Sequence, residues 1–138
     1  MGDEAVEFGE LFSSTDLEDE VPDAGFFTWD VPEDVLYADG ALARLFGINE
    51  LEAEQGLPLE VYLARVHPDD QPHLAKAIRN SIVHHAPQQE FYRVRNANDE
   101  YVNVMSFGKG FRDKNGVPIR YVGIVVPAFS SEPTSQTH

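Results

Sequence analysis

The last third of the chain constrains the fold most, because stretches of strand-forming residues alternate there with turn sequences. From Glu90 to Val126 it reads EFYRVRNANDEYVNVMSFGKGFRDKNGVPIRYVGIVV. β-branched and aromatic residues dominate three stretches, and the sequences NAND and DKNG between them favour turns. Asn115-Gly116 is typical of a tight turn between antiparallel strands. This region therefore predicts three consecutive antiparallel strands.

The preceding region adds two strands and a group of helices. GFFTWDV, from Gly25 to Val31, alternates apolar and polar side chains as a half-buried strand does, and VLYAD follows as its hairpin partner. GALARLFGI has apolar residues at helical spacing, with Asp39 as a candidate N-cap and Gly47 as a helix stop. LPLEVYLARV predicts a second short helix, and a longer helix follows. The sequence therefore predicts an α+β fold, with short helices packed on one face of an antiparallel sheet of about five strands.

Two histidines and two aspartates lie close together in RVHPDDQPHLAKAI, from Arg65 to Ile78. Imidazole and carboxylate groups bind metals, but His67 and His73 lack the i, i+3 or i, i+4 spacing that brings side chains together on a helix. A helix start explains more, because Asp70 can accept hydrogen bonds from first-turn amides and Pro72 is tolerated in that turn. We therefore expect a helix here and no metal site.

Composition limits the partners and the compartment. The chain has 138 residues, enough for one domain, and 24 acidic against 10 basic residues give a formal net charge of -14. Such a charge repels phosphate backbones and anionic membrane surfaces, so we expect no nucleic-acid or membrane binding. The sequence contains no cysteine, which excludes disulfides, thiol nucleophiles and thiolate metal sites. No apolar run has transmembrane length and no signal-peptide pattern is present, so we expect a cytoplasmic protein.

Three segments differ in composition. Residues 1–23 are strongly acidic and residues 24–129 form the predicted folded domain. Residues 130–138, SSEPTSQTH, lack apolar periodicity and predict a disordered tail. The acidic segment also predicts a short amphipathic helix, since four of its apolar residues recur at near-helical spacing. These four are Ala5, Phe8, Leu11 and Phe12.

Six motifs in this order resemble the PAS family, in the branch common in bacterial sensor histidine kinases and related signalling proteins. They are GFFTWD, LARLFGI, RVHPDD, FYRV, FRDKNG and RYVGI. The resemblance covers about Gly25 to Val126 and implies an antiparallel sheet curved around a small cavity that helices close. It also implies that the chain senses a ligand or redox state, or holds proteins together. The chain departs from the family in three places. Asn98-Asp99 and then Asn103 stand where the family often has an Asp-Gly turn followed by a Trp. Pro127, Ala128 and Phe129 replace an Asp-Ile-Thr-like triplet, and the cysteine of light-sensing relatives is missing.

A cavity of this kind would be lined by apolar side chains of the strands and helices. The pattern places eight residues in range: Phe27, Trp29, Tyr37, Phe46, Ile78, Ile82, Val122 and Ile124. Aromatic rings would stack on a flavin or a small organic ligand, but such residues more often form plain core. Haem would need a histidine on the long helix, and His85 is the only candidate. Because His85 lies just before Pro87, a solvated last-turn histidine is favoured, and we expect no cofactor and at most a small unidentified ligand.

The last two strands carry apolar residues on both sides, which predicts that both faces of the sheet are covered. Helices cover one face only, so an apolar patch would remain exposed unless the N-terminal helix or a second subunit covers it. We therefore expect a homodimer that packs through the outer face of the sheet. Its predicted interface has nine residues: Phe8, Leu11, Phe12, Tyr101, Met105, Phe107, Ile119, Tyr121 and Val125.

Three functional hypotheses follow, none of them enzymatic, because the sequence has no nucleophile elbow and no phosphate-binding glycine loop. The first is a sensory or regulatory PAS module, either stand-alone or the input domain of a histidine kinase or diguanylate cyclase, with an unknown signalling partner. The second is a ligand-free adaptor for protein interaction. The third is a haem- or flavin-dependent gas or redox sensor, which the colour of the purified protein would identify.

Overall fold

The computed structural model describes residues 24–84 and 86–128. The helix predicted within residues 1–23, the predicted tail and His85 lie outside these ranges. The described chain forms five strands and four helices. In chain order they are β1 (Gly25–Asp30), β2 (Val35–Ala38), α1 (Gly40–Phe46), α2 (Glu50–Gln55), α3 (Leu59–Leu63), α4 (Gln71–His84), β3 (Gln88–Arg95), β4 (Tyr101–Arg112) and β5 (Pro118–Pro127). None of these helices is long and apolar enough to cross a membrane.

The strands form one antiparallel sheet in the order β2-β1-β5-β4-β3. β3, β4 and β5 are the meander that the sequence predicts, and β1 pairs with both β2 and β5. The helices pack on one side of this sheet, here called the inner face, and the opposite side is called the outer face. The predicted fold class is confirmed.

Helix α1 begins and ends at the residues that the sequence indicates. One carboxylate oxygen of Asp39 accepts hydrogen bonds from the backbone N–H groups of Leu42 at 3.0 Å and Phe26 at 3.1 Å. It therefore caps the helix and also fastens its start to β1. Gly47 ends the helix with a φ of 65°, in the left-handed region that glycine adopts without strain, and its N–H donates to the carbonyl of Arg44.

Helix α4 begins at Gln71, but Asp70 does not cap it with its side chain as the sequence suggests. Its carboxylate accepts three hydrogen bonds of 2.9 Å from Arg93 of β3, one from the backbone N–H and two from the guanidinium group. The hydrogen bonds from Arg93 hold the pKa of Asp70 below its usual value, against the opposing effect of burial. The pair fastens the start of α4 to the edge strand. Within the described ranges, no three histidine or acidic side chains converge to hold a metal ion.

Strand β5 overturns the sequence assignment of its two sides. Tyr121 and Val125, which were expected on the outer face, are 5% and 1% exposed and point toward the helices. Val122 and Ile124, which were expected in the core, lie on the outer face, where Ile124 is opposite Phe107 of β4. The prediction was wrong because both sets are apolar, and a strand with two apolar sides does not reveal by alternation which side is buried.

Two glycines leave room on the inner face for the aromatic rings of the core. A methyl group added to Gly108 of β4 would lie 2.5 Å from Cζ of Tyr121, and one added to Gly123 of β5 would lie 2.7 Å from Cζ of Phe27. Each ring therefore lies directly against the backbone of a neighbouring strand, which no residue with a Cβ would allow without displacement. These contacts fix the side of the sheet on which the two rings lie.

Candidate functional site

A cavity of about 50 Å³ lies between the inner face of the sheet and the helices. All five strands contribute to its lining, together with α1, α3, α4 and the residue Val66 that follows α3. Sixteen of the described residues surround it: Phe27, Trp29, Leu36, Leu42, Phe46, Leu59, Tyr62, Leu63, Val66, Leu74, Ile78, Gln88, Tyr92, Ser106, Tyr121 and Val125. None of these carries a formal charge, so the cavity is an apolar space with a few polar groups at its wall.

Aromatic rings of β1 and β5 form one wall of the cavity. The ring centroids of Phe27 and Tyr121 are 5.9 Å apart, and the Trp29 ring meets Tyr121 edge-on at 6.5 Å. The indole N–H of Trp29 donates to the carboxylate of Asp34 at 2.9 Å, outside the cavity lining. This hydrogen bond satisfies the only polar atom of the indole, so Trp29 presents an apolar surface to the cavity.

Three tyrosines line the cavity, along with the polar residues Gln88 and Ser106. Burial raises the pKa of Tyr62 and of Tyr121 to about 12 and raises that of Tyr92 as well. The hydroxyl groups of Ser81 and Ser106 interact with Tyr121 and Tyr92 respectively and oppose part of this rise. All three phenols are therefore protonated at neutral pH, and each can donate a hydrogen bond.

Tyr62 differs from the other two because its hydroxyl oxygen is buried and has no hydrogen-bond partner in the described part of the chain. The residue is 3% exposed and belongs to α3, the short helix that closes the cavity beside α1. Its ring packs edge-on against Phe46, with centroids 5.6 Å apart. The position of the ring is thus fixed by packing, whereas its polar atom is left unsatisfied.

A chain of polar contacts leads from the cavity wall to the start of α4. The side-chain amide of Gln88, a lining residue, donates to Glu90 at 2.8 Å, and Glu90 also lies 3.3 Å from the imidazole of His73. His73 lies 3.7 Å from Asp70, which is held by Arg93. The cavity is therefore connected to the charged cluster at the edge of the sheet by side-chain contacts alone.

Four of the eight residues expected at the cavity line it, namely Phe27, Trp29, Phe46 and Ile78, and four do not. Tyr37 is on the outer face opposite Thr28, and Val122 and Ile124 are on the same face. Ile82 of α4 lies near Gly110 of β4, beyond the cavity. The buried residues of this helix are Leu74, Ala77 and Ser81, and Ser81 is 1% exposed, whereas Ile82 is half-buried and is not among the lining residues.

The residues expected at the dimer interface divide into three groups. Three of them alternate onto the outer face of β4, as expected: Tyr101, Met105 and Phe107. Tyr121 and Val125 instead line the cavity, and Ile119 shares their side of β5 by alternation. The other three, Phe8, Leu11 and Phe12, lie outside the described residues.

Sequence reasoning missed several lining residues of α3 and β3, and above all Tyr62. A signal for it existed, because Leu59, Tyr62, Leu63 and Val66 recur at i, i+3, i+4 and i+7 within LPLEVYLARV. In β3, Tyr92 is two residues before the buried Val94 and therefore lies on the same side of the strand, which indicates that its side chain points inward.

The family model described as PAS fold matches residues 35–125. No curated protein matches the sequence.

Solved structures are similar over most of the chain. A sensory box histidine kinase/response regulator from Burkholderia thailandensis E264 has a TM-score of 0.70 at 19% identity, covering 94% of this chain and 89% of that chain. The N-terminal domain of a diguanylate cyclase with PAS/PAC sensor from Marinobacter aquaeolei has a TM-score of 0.66 at 18% identity, covering 75% of this chain and 94% of that chain. An RNA-binding light-oxygen-voltage receptor has a TM-score of 0.65 at 17% identity, covering 83% of this chain and 33% of that chain. This chain therefore aligns with only a third of that receptor.

At these identities the solved structures show a shared fold, and the family model covers well over half of the chain. The five-stranded sheet, the helices on its inner face and the cavity between them agree with that match. The chain belongs to the PAS fold family.

Proposed function

We propose that this chain is a sensory module of bacterial-type signal transduction that detects a small molecule bound in its core cavity. The cavity carries this proposal, because an apolar space with a few polar groups at its wall is typical of small-molecule sites. The similar structures, which include a sensory box histidine kinase and a diguanylate cyclase domain, support a role in signalling. No catalytic domain is evident in the described residues, so the output would come from a kinase, a cyclase or another signalling partner.

The route from ligand to output follows from the packing around the cavity. The lining joins β1 and β5 of the sheet to α1, α3 and α4, so a bound molecule would contact both layers at once. A ligand shifts a conformational equilibrium only by binding one state more tightly than the other. Contacts with two layers provide that difference, because the helices can lie closer to or farther from the sheet.

A haem or flavin sensor is the alternative that the sequence leaves open, and the lining residues do not fit either group. Pockets for drug-sized ligands have volumes of roughly 300–1,000 Å³, whereas this cavity has about 50 Å³. In addition, no histidine is among the lining residues within the described ranges, and His85 lies outside those ranges. We therefore propose a small colourless ligand.

Native mass spectrometry together with an absorption spectrum tests this function. We expect a colourless protein that retains a small molecule, or that takes one up from a library of compounds with few non-hydrogen atoms, and that loses it on unfolding. A Soret or flavin absorption band would contradict the proposal. A folded protein that binds no compound in the library would leave the ligand-free adaptor as the better hypothesis.

A second proposed function is dimerisation through the outer face of the sheet. Six aromatic side chains on this face are between 38% and 57% exposed: Phe26, Tyr37, Phe91, Tyr101, Phe107 and Phe111. Clustered exposed apolar side chains of this kind often mark an interaction surface. A second copy of the chain would cover it with an equivalent surface.

The acidic N-terminal segment is charged so that it can take part in this interface. Residues 1–23 contain nine of the 24 acidic residues of the chain and none of its 10 basic residues. The outer face carries Lys109 and Arg120 between its aromatic side chains, so the charges of the segment and the face are complementary. We place Phe8, Leu11 and Phe12 of this segment in the same interface, over apolar residues of the partner.

Light scattering on two matched variants tests the dimer. Phe91→Glu puts a charge on a residue that is 52% exposed on the outer face, and Leu51→Glu does the same to a residue of α2 that is 63% exposed among the helices. We expect a dimer for the unchanged protein and for Leu51→Glu, and a monomer for Phe91→Glu. An unchanged protein that remains monomeric at high concentration would refute this proposal and leave cavity sensing unaffected.

A further inference from the structure

We propose that the segment from Leu57 to Val66, here called the strap, is the movable cover of the core cavity and opens at its Leu57 end. The strap contains α3, and four of its residues line the cavity: Leu59, Tyr62, Leu63 and Val66. A role for the strap in ligand entry rests on the proposed function, since it takes the cavity to be a ligand site. It adds to that function the route by which a molecule reaches the cavity.

The strap crosses the inner face of the sheet from one edge to the other. β2 and β3 are the two edge strands. At its start the strap forms an isolated bridge between Leu57 and Leu36 of β2, and at its end it forms another between Val66 and Val94 of β3. The residues between these bridges line the cavity, so releasing either bridge would uncover part of it.

The attachment of the strap to β3 is the stronger of the two. Two backbone hydrogen bonds of 2.8 Å flank the bridge between Val66 and Val94. The guanidinium group of Arg65 donates three more, of 2.8 to 3.0 Å, to backbone carbonyl oxygens of α1, of β3 and of the turn after β3. The side-chain amide of Gln71 donates a sixth, to the carbonyl of Val66 at 2.8 Å. Hydrogen bonds from a charged donor are stronger than neutral ones, so Arg65 fixes this end firmly.

The attachment of the strap to β2 is weaker. The N–H of Leu36 donates to the carbonyl of Leu57 at 2.7 Å, and the N–H of Leu57 donates back at 3.0 Å. Pro58 precedes α3 and offers no side-chain cap, and the N–H of Leu59 donates instead to the exposed carboxylate of Asp34 at 3.2 Å. Among the described residues this end has three hydrogen bonds against six, so it opens at a lower free energy than the other.

Asp34 connects this weaker end to the aromatic wall of the cavity. The carboxylate oxygen that accepts from Leu59 also accepts from the indole N–H of Trp29 at 2.9 Å. One oxygen of the turn between β1 and β2 therefore links a lining ring of the sheet to the first residue of α3. Asp34 is thus the latch of the strap, because removing its carboxylate frees both donors.

Gly56 is the joint that lets the strap move while α2 stays packed on β2. Its φ is 106°, in the region that favours glycine. A methyl group added there would lie 2.9 Å from Cε1 of Tyr37 and would also collide with Val35. Movements of this kind are absorbed by φ and ψ changes at a few residues that end an element, and Gly56 directly follows α2.

Native-state hydrogen exchange on the unchanged protein compares the two attachments. The amides of Leu36 and Leu57 report on the β2 end, and those of His67 and Arg95 report on the β3 end. We expect the first pair to exchange about tenfold or more faster, through a local opening that low urea concentrations barely affect. The amide of Tyr37, which faces β1 by alternation, should stay protected because β2 remains in the sheet.

Two results of that comparison would overturn the proposal. The first is equal protection of the two pairs of amides, which would mean that both ends open only together. The second is loss of protection at Tyr37 together with Leu36, which would mean that β2 itself frays and the strap does not move on it.

Three variants test the latch. Asp34→Ala removes the acceptor, Asp34→Asn keeps a side-chain oxygen, and Glu33→Ala removes the neighbouring acidic side chain of the same turn. We expect the amide of Leu57 to exchange about three- to tenfold faster in Asp34→Ala, as for the loss of a hydrogen bond, and at nearly the original rate in the other two. Equal rates in Asp34→Ala and Glu33→Ala would refute the latch.

Engineered disulfides lock each end of the strap in turn, since the sequence has no cysteine of its own. One variant carries Leu36→Cys with Leu57→Cys, and the other carries Val66→Cys with Val94→Cys. Both pairs are partners in antiparallel bridges, whose Cα separation suits a disulfide. Xenon, which binds apolar cavities, is the probe, and its exchange between solution and cavity is followed by xenon NMR in the oxidised and reduced protein.

We expect oxidation to slow xenon exchange by about tenfold or more in the variant locked at β2, and to leave it unchanged in the variant locked at β3. Exchange that stays equally fast with the β2 end locked would refute the strap as the entry route while leaving the cavity a ligand site. If xenon does not enter the unchanged protein, the proposed function fails, and the role in entry fails with it. Hydrogen exchange needs no variant, so it decides whether the strap opens even if the cysteine variants do not fold.

Discussion

Replacing Gly108 by alanine would test the packing of the cavity wall. The added methyl group would lie 2.5 Å from Cζ and 2.9 Å from Cε2 of Tyr121, far inside normal contact distance. Phe27 and Trp29 pack against the same ring, so it can yield only toward the cavity. Overpacking of this kind destabilises the folded state by about 1–3 kcal/mol. Alanine also reduces the backbone entropy of the unfolded chain, which stabilises the protein by roughly 0.5–1 kcal/mol. We expect a net loss of about 1–2 kcal/mol in the free energy of unfolding.

Gly110 provides the matched control two residues along the same strand and on the same face. A methyl group there would have its nearest neighbours at 3.6 Å, an ordinary contact distance. We therefore expect Gly110→Ala to be neutral or stabilising by up to about 1 kcal/mol. The stabilities of both variants can be measured by urea unfolding, followed through the fluorescence of the single tryptophan, Trp29. In thermal unfolding, we expect the midpoint temperatures of the two variants to differ by about 10 °C. Equal stabilities of the two variants would refute the packing of Tyr121 on Gly108.

Three further substitutions test the sheet and the ion pair between Asp70 and Arg93. Val125→Ala should lower the free energy of unfolding by about 2 kcal/mol, because Val125 is buried in the cavity wall. Val122→Ala on the outer face should lower it by less than about 1 kcal/mol. If thermal unfolding shows Val122→Ala to be the less stable variant, the assignment of the two faces is wrong. Asp70→Asn should lower the free energy of unfolding by about 1 kcal/mol. This is less than a hydrogen bond between charged groups usually contributes, because Arg93 is partly exposed to solvent. The pKa of Asp70 is lowered by folding, so its contribution is present above the pKa of the unfolded carboxyl, about 3.9, and is lost as pH falls through the folded value. A stability difference between the two proteins that persists far below pH 3 would contradict this.

Features that depend on neighbouring residues could be predicted from the sequence. Asp39 and Gly47 bound α1 because capping and left-handed glycine act within one turn of chain. The turns after β3 and β4 follow from the same local preferences, with Gly116 at a φ of 83°. The order of strands and helices follows from the period of apolar residues, which is also a local property.

Features that depend on distant contacts could not be predicted in this way. The side of β5 that is buried depends on which face receives the helices, and Gly108 and Gly123 reveal it only once their partners are known. Asp70 has the sequence position of a helix cap, but Arg93, which is 23 residues away, takes its carboxylate. A charged guanidinium gives an ionised carboxylate a stronger hydrogen bond than a backbone amide does.

The unsatisfied hydroxyl of Tyr62 belongs to the same class. The helical spacing of LPLEVYLARV places the residue in the core, but the missing hydrogen-bond partner depends on every element around the cavity. A sequence can therefore indicate which residues form a cavity wall without indicating which of their polar groups have a hydrogen-bond partner.

The existence of an accessible apolar space between the sheet and the helices is the claim on which the sensory function depends. Xenon binds dry apolar cavities and can be located in a crystal held under xenon pressure. We expect a xenon atom between the two layers, in contact with Leu42, Val66 and Val125. Xenon found only on the outer face or between molecules, with this space empty, would contradict the account.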